Sequence, residues 1–198
     1  SHEGPQTASP LTPEVWDATA MATVSYGHGI SVSPLAFAMT YTAFGNSGNY
    51  VSPVFVEPVD GAQVEKSQVM SPDTAAKVLG MLREVVTRGS GKNADAQGYE
   101  VAGKTGTAEK PGPDGYDPNK NITSFAAVFP ASRPQFVVLV VLDEAQPRTG
   151  DQRTAAYTAA SIAGKVIARA APLLDVRPVL GASKVEAASL RVSEAKTP

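Results

Sequence analysis

The ten residues Gly98-Tyr99-Glu100-Val101-Ala102-Gly103-Lys104-Thr105-Gly106-Thr107 spell two different chemistries. Read from Gly98 they are G-x-x-x-x-G-K-T, a loop whose backbone N–H groups and lysine cradle phosphates. Read from Lys104 they are K-T-G-T: a positive charge, two hydroxyls and a residue without a side chain. On an exposed strand edge this second set suits an extended peptide ending in a carboxylate. Lys104 draws the carboxylate and favours deprotonation of neighbouring hydroxyls. Thr105 and Thr107 donate to the carboxylate, and Gly106 lets another backbone come close. The N–H at Thr107 suits one half of an oxyanion hole, where a single donor is worth about 2.7–4 kcal/mol of barrier. A further run, Phe136 to Leu142 followed by Asp143, supports the first chemistry, because an acid-tipped apolar strand holds magnesium in nucleotide hydrolases.

The element that follows Thr105 decides between the two. A phosphate cradle feeds directly into a helix, whose N-terminus faces the phosphates. Here Gly106, Pro111, Gly112, Pro113, Gly115 and Pro118 follow. Each proline inside a helix costs about 3 kcal/mol and each glycine about 1, relative to alanine. Upstream, Ser90 to Gln97 is polar where a buried strand is required. The segment is therefore expected to be a strand from about Tyr99 to Glu109 followed by a long proline-glycine loop. Asp143 then ends an ordinary core strand. The nucleotide-binding reading, with Gly98 to Thr105 and Asp143, stays as the alternative.

Alone, K-T-G also fits a solvated lysine in a turn. The residues around it add specificity. Ser25-Tyr26-Gly27-His28-Gly29-Ile30-Ser31-Val32-Ser33-Pro34-Leu35 resembles the S-[FY]-G-x-G-x-x-V-[ST]-P-L landmark of class B penicillin-binding proteins. It precedes Val101 to Lys110 in that family's order, and Ser124 to Ala131 and Pro134 to Asp143 look like the family's next strands. The segment Ala163 to Leu174 is similar to the C-terminal helix of division-specific members from alphaproteobacteria. The resemblance spans roughly residues 9 to 178. One departure is Ala36, where the family usually carries glutamine; it bears on packing more than on chemistry.

The resemblance implies a serine D,D-transpeptidase that attacks the D-alanyl-D-alanine end of a peptidoglycan stem peptide and is acylated by β-lactams. Lys104 and Thr107 would be its catalytic residues here, with Lys104, Thr105, Gly106 and Thr107 binding substrate. It implies the periplasmic face of the inner membrane, at the division septum, with cell-division proteins as partners. The family also needs S-x-x-K and S-x-N upstream of the landmark. Ser193-Glu194-Ala195-Lys196 matches the first but lies at the chain end, where a nucleophile is not held rigidly. Ser47-Gly48-Asn49 matches the second but follows the landmark in what reads as a turn. The chain is thus expected to be the C-terminal part of such a domain without its nucleophile, its membrane anchor lying elsewhere in the parent. A non-catalytic docking or dimerising module is the remaining alternative.

Composition fits this without requiring it. With 198 residues and 42% apolar content the chain suits one domain, or one lobe with a tail. A net charge of -2 argues against nucleic acid and anionic membranes as partners. The absence of cysteine excludes disulfides and thiolate metal sites. The longest apolar run, Phe136 to Leu142, is too short to cross a bilayer. No cofactor is implied.

The elements that must position the site follow from periodicity and punctuation. Residues 1–13 read as a flexible leading segment, 14–178 as the folded portion and 179–198 as a disordered, core-poor tail. Helices are expected over Asp17–Tyr26, Pro34–Gly45, from Ser71-Pro72 to Gly89, and from Gly150-Asp151 to Ala171, the last stopped by Pro172. Val51 to Val59 carries two prolines and reads as an edge strand or extended loop. Strands near 99–109, 122–130 and 135–143 should form an antiparallel meander, giving a mixed α/β fold with an antiparallel sheet against helices.

The remaining polar residues have plainer roles. His28, between two glycines, reads as a turn or packing residue, and His2 as a cloning remnant. Two distant histidines without clustered acids do not make a metal site. Asp114, Asp117 and Asn119 approximate calcium-loop spacing but lack its glycine and distal glutamate, and so solvate the loop. Tyr99 and Tyr116 fit either substrate contact or local packing.

Overall fold

A computed structural model describes residues 9–55, 64–112, 115–145 and 154–179. Two of the three long helices start as their sequences dictate. In α2 (Pro34–Gly45) the Ser33 hydroxyl accepts the Ala36 N–H at 3.2 Å, and proline occupies the first turn. In α3 (Pro72–Thr87) Ser71 does the same for Thr74 at 3.1 Å, and Ala75, Leu82 and Val86 are buried on one stripe. Short α1 (Ala18–Val24) is capped by Asp17 but buries none of its residues. The last helix, α4 (Ala159–Leu173), buries Ala159, Ala160, Ala163, Gly164, Ile167 and Ala171. A Cβ on Gly164 would lie 2.9 Å from the Asn93 carbonyl, so α4 presses its backbone onto the 3-10 turn Lys92–Ala94. Pro172 falls inside its last turn rather than after it, and the helix begins at Ala159, after a turn over 154–158, later than the expected start at Gly150-Asp151; residues 146–153 lie outside the described residues.

The main sheet is the expected meander. β3 (Ala102–Gly112), β4 (Gly115–Phe129) and β5 (Phe136–Asp143) pair antiparallel in sequence order. β4 is central and buried on both faces, which explains its unbroken run Phe125-Ala126-Ala127-Val128-Phe129. Alternation sends Phe125, Ala127 and Phe129 toward α4, where they meet Ala163, Ile167 and Ala171. Ala126 and Val128 face the other way, against Tyr41 of α2 and Leu82 of α3. The sheet thus sits between α4 on one side and α2 with α3 on the other.

Two departures are informative. The expected loop after Glu109 is instead a continuation of the hairpin to Gly112↔Gly115. The pairing jumps from Glu109↔Asn121 to Lys110↔Asp117, leaving residues 118–120 as a bulge. Pro118 falls in that bulge, where no ladder N–H is needed, so proline does not break the strand. The second departure is a small ribbon: β1 (Asn49–Val51) pairs with β2 (Lys66–Gln68). β2 is short and polar, so periodicity gave no sign of it; residues 56–63, which include part of the expected Val51–Val59 strand, lie outside the description. Ser47-Gly48 forms a turn with positive φ at both residues (53° and 85°), and the Gly48 N–H returns to the Ala43 carbonyl at 2.9 Å.

Candidate functional site

Lys104 to Thr107 lie mid-way along β3, the outer strand of the sheet, paired as Lys104↔Ala126, Thr105↔Phe125, Gly106↔Ser124 and Thr107↔Thr123. No helix begins at Lys104, so the phosphate cradle fails: its N–H groups are committed to a strand, not to a helix N-terminus. Asp143 is likewise not a free magnesium acid. Lys110 reaches it at 2.5 Å and Glu144 at 2.9 Å, clamping the part of β3 beside the β4 bulge to the end of β5 across β4. Hydrogen bonding to Asp143, then to Glu144, raises the Lys110 ammonium above the usual lysine range.

The approach to Lys104 is rigid. Val101 and Ala102 are fully buried, and Arg83 of α3 donates 2.8 Å hydrogen bonds to the Val101 carbonyl and to Asp95. Buried Glu100, at φ 44°, accepts from the Ser132 hydroxyl, and its carbonyl takes the Ala131 N–H at 2.8 Å. Gly103 admits no side chain, since a Cβ there would lie 2.5 Å from the Ala126 carbonyl.

From Lys104 onward the strand becomes accessible, and the side chains alternate. Lys104 is exposed, and its Nζ donates to the Thr105 carbonyl at 2.9 Å. Among the described residues no carboxylate pairs with it, so its charge remains available. Gly106 meets Ser124, whose Oγ would stand 2.6 Å from a Cβ there. A side chain at this position would require the Ser124 hydroxyl to rotate away.

The two threonines face the α4 side, in line with Phe125 and Thr123. Thr105 Oγ1 is 2.8 Å from Ser90 Oγ, and Thr107 Oγ1 accepts the Ala155 N–H at 3.2 Å. Beneath them Thr158 donates to buried Thr123 at 3.0 Å. The strand thus presents a cation on one face and two supported hydroxyls on the other, along an outer edge of the sheet.

His28 stacks edge-on with Tyr116 at 5.9 Å between ring centroids, joining the Gly27-His28-Gly29 turn to the β3–β4 hairpin. Tyr99 packs against the core beneath α4. Leu11 exchanges two backbone hydrogen bonds, 2.9 and 3.0 Å, with Ser31 of the landmark segment. Asp114, Ser193 and Lys196 lie outside the described residues. Among the described residues no group of three or more acids or histidines could hold a metal, and no helix is long and apolar enough to cross a membrane. Ser90, Ala155 and Arg83 escaped the sequence reading. The glycines flanking Ser90 were the one available signal.

Comparison with known proteins gives consistent results. The penicillin binding protein transpeptidase domain family matches residues 3–168. A probable peptidoglycan D,D-transpeptidase FtsI of Caulobacter vibrioides is 38% identical over 184 residues, 87% of this chain and 31% of that protein. The apo transpeptidase domain of Burkholderia pseudomallei penicillin-binding protein 3 superposes with a TM-score of 0.74 at 35% identity, covering 82% of this chain and 49% of that one. Mycobacterium tuberculosis penicillin-binding protein 3 complexed with ampicillin gives a TM-score of 0.75 at 25% identity, over 89% and 43% of the respective chains. The chain spans about a third of the length of that Caulobacter relative and under half of the solved chains.

Proposed function

The chain belongs to the penicillin-binding protein transpeptidase family, and from that premise we propose that residues 14–178 form the C-terminal portion of a serine D,D-transpeptidase domain. The parent protein crosslinks peptidoglycan stem peptides during septal wall synthesis, at the periplasmic face of the inner membrane, together with other division proteins. Its serine attacks the carbonyl carbon between the two terminal D-alanines, the peptide bond breaks and the last D-alanine leaves with a proton. An amine of a second stem then attacks the acyl ester, forming the crosslink and releasing the serine. β-Lactams acylate the same serine.

In this scheme Lys104, Thr105, Gly106 and Thr107 are this chain's share of the site. Lys104 draws the substrate carboxylate and lowers the cost of deprotonating nearby hydroxyls. Thr105 and Thr107 donate to that carboxylate, and the Thr107 N–H serves the oxyanion. The observation that carries the reading is Lys104-Thr105-Gly106-Thr107 on the outer strand of the sheet, with the lysine unpaired among the described residues and both hydroxyls supported from behind. The serine nucleophile and the S-x-N motif belong to a part of the parent outside this chain. In keeping with this, the α1 region exposes a wide apolar surface, with Leu11, Val15, Met21 and Tyr26 each more than 60% exposed. Such a surface fits a lobe that packs against more protein.

Labelling with fluorescent penicillin tests the proposal. The full-length parent should be labelled covalently and stably. The 198-residue chain alone should not be labelled, nor should it bind magnesium-ATP. Stable labelling of the short chain would place the nucleophile within it, with Ser193 the first residue to examine.

A further inference from the structure

The scheme above leaves the Ser90 hydroxyl unused, yet the chain is bent tightly to place it. Gly89-Ser90-Gly91 closes α3 by wrapping back on its last turn. The Gly89 N–H bonds the Glu84 and Val85 carbonyls at 3.2 and 3.0 Å, and the Gly91 N–H returns to Val85 at 3.0 Å. A Cβ would stand 2.9 Å from the Val85 carbonyl oxygen at Gly89, and 3.2 Å from it at Gly91. The wrap turns the chain from α3 toward β3 and sets Ser90 Oγ 2.8 Å from Thr105 Oγ1.

A hydroxyl has one proton and two acceptor lone pairs. Between Ser90 and Thr105 one proton lies on the shared line, and either oxygen can supply it. An ionised carboxylate only accepts. Once a carboxylate is drawn to Lys104, Thr105 can donate outward and still keep its bond to Ser90 only if Ser90 is the donor of that bond. Thr107 reaches the same state by another route, because its Oγ1 accepts the Ala155 N–H at 3.2 Å and keeps its own proton. Both strand hydroxyls are thus supplied from behind, one by a side chain and one by the main chain. Bonds in such a chain polarise one another, so the outward donation is stronger with Ser90 present.

We propose, resting on the transpeptidase reading, that Ser90 is a positioning residue: by donating to Thr105 it fixes the Thr105 O–H as a donor to the carboxylate of the stem peptide and of β-lactams.

The test measures second-order acylation rates of the full-length protein with benzylpenicillin and with its methyl ester, which lacks the anion. Ser90→Ala should slow reaction with the free acid about fivefold, equivalent to about 1 kcal/mol of barrier. With the ester the loss should stay under about twofold. Ser90→Thr, which keeps the hydroxyl, should retain at least about half the wild-type rate. In a Thr105→Val background, Ser90→Ala should cause no further loss, because the interaction it serves is already gone. Equal losses with acid and ester would mean a purely structural role and overturn the inference, as would an undiminished rate with the acid or additive losses in the double variant. An unlabelled wild type would overturn the transpeptidase reading and this inference with it. A labelled wild type with an unaffected Ser90→Ala would overturn this inference alone.

Discussion

Replacing Gly103 by alanine tests whether β3 is held against β4 as closely as the site requires. A Cβ at this position would lie 2.5 Å from the Ala126 carbonyl oxygen, 2.7 Å from Ala127 Cβ and 2.7 Å from Phe125 Cζ. The first distance is about 0.9 Å short of ordinary contact at 3.4 Å, and the obstructing atom is backbone. Phe125, Ala126 and Ala127 are fully buried, so none can move into solvent. β3 must therefore retreat by roughly 1 Å, and overpacking of this kind costs about 1–3 kcal/mol. We expect about 2 kcal/mol in urea unfolding of the 198-residue chain, with the midpoint lowered and the slope unchanged. The control is Gly80→Ala in the middle of α3, where a Cβ meets nothing within 4 Å. It should be neutral or stabilise by up to about 1 kcal/mol, because alanine has less backbone freedom to lose. In the full-length protein Gly103→Ala should also slow acylation, since a displacement of about 1 Å can cost as much as 100-fold in rate. A Gly103→Ala chain within about 0.5 kcal/mol of wild type would refute the close β3–β4 packing.

Two further expectations concern the core. Ile167→Ala, at a fully buried position on α4 against the sheet, should destabilise the chain by about 2–5 kcal/mol in the same assay, and a loss under about 1 kcal/mol would contradict that packing. Tyr41 is buried beside a cavity of about 300 Å³, and burial pushes its phenol up to about 12 from an ordinary value of 10.0. Its neutral form is favoured in the folded state, so the stability is complete below pH 10 and is lost as pH rises through about 12. At 1.36 kcal/mol per unit this amounts to roughly 2–3 kcal/mol, which Tyr41→Phe should remove from a stability profile taken across that range. Lys110, raised by Asp143, weakens in the same direction in both proteins, so the difference between the two profiles isolates Tyr41.

Much of the fold was legible because local chemistry and tertiary packing agree. Ser33-Pro34 and Gly45 bound α2, and Ser71-Pro72 opens α3, since capping hydroxyls and first-turn prolines act within a few residues. The apolar runs of β4 and β5 announced buried strands. The hairpin beyond Glu109 was not legible, because proline reads as a breaker until a bulge is known to absorb it. β2 was hidden for a different reason: Lys66-Ser67-Gln68 pairs through its backbone and carries no apolar face. At the site, Lys104 to Thr107 stand together in sequence and were readable. Their supports were not: Ser90 lies 15 residues before Thr105, and Ala155 lies 48 after Thr107. Such pairs are set by how α3 and α4 dock, which no short window records.

The most direct test of the central claim is the acylation rate of the full-length protein with Lys104 altered. The lysine is exposed, and among the described residues its ammonium donates only to its neighbour's carbonyl, so its removal should leave the melting temperature nearly unchanged. A charge-assisted hydrogen bond is worth about 1.5–3 kcal/mol. Lys104→Ala should therefore cut second-order acylation by penicillin at least about tenfold, since 1.4 kcal/mol of barrier is a factor of ten. Lys104→Arg should restore only part of the rate, because a planar guanidinium does not reproduce a compact ammonium. A tenfold or greater loss with an intact fold is the result the account predicts. An unchanged acylation rate in Lys104→Ala would contradict it and leave K-T-G in this chain without a catalytic role.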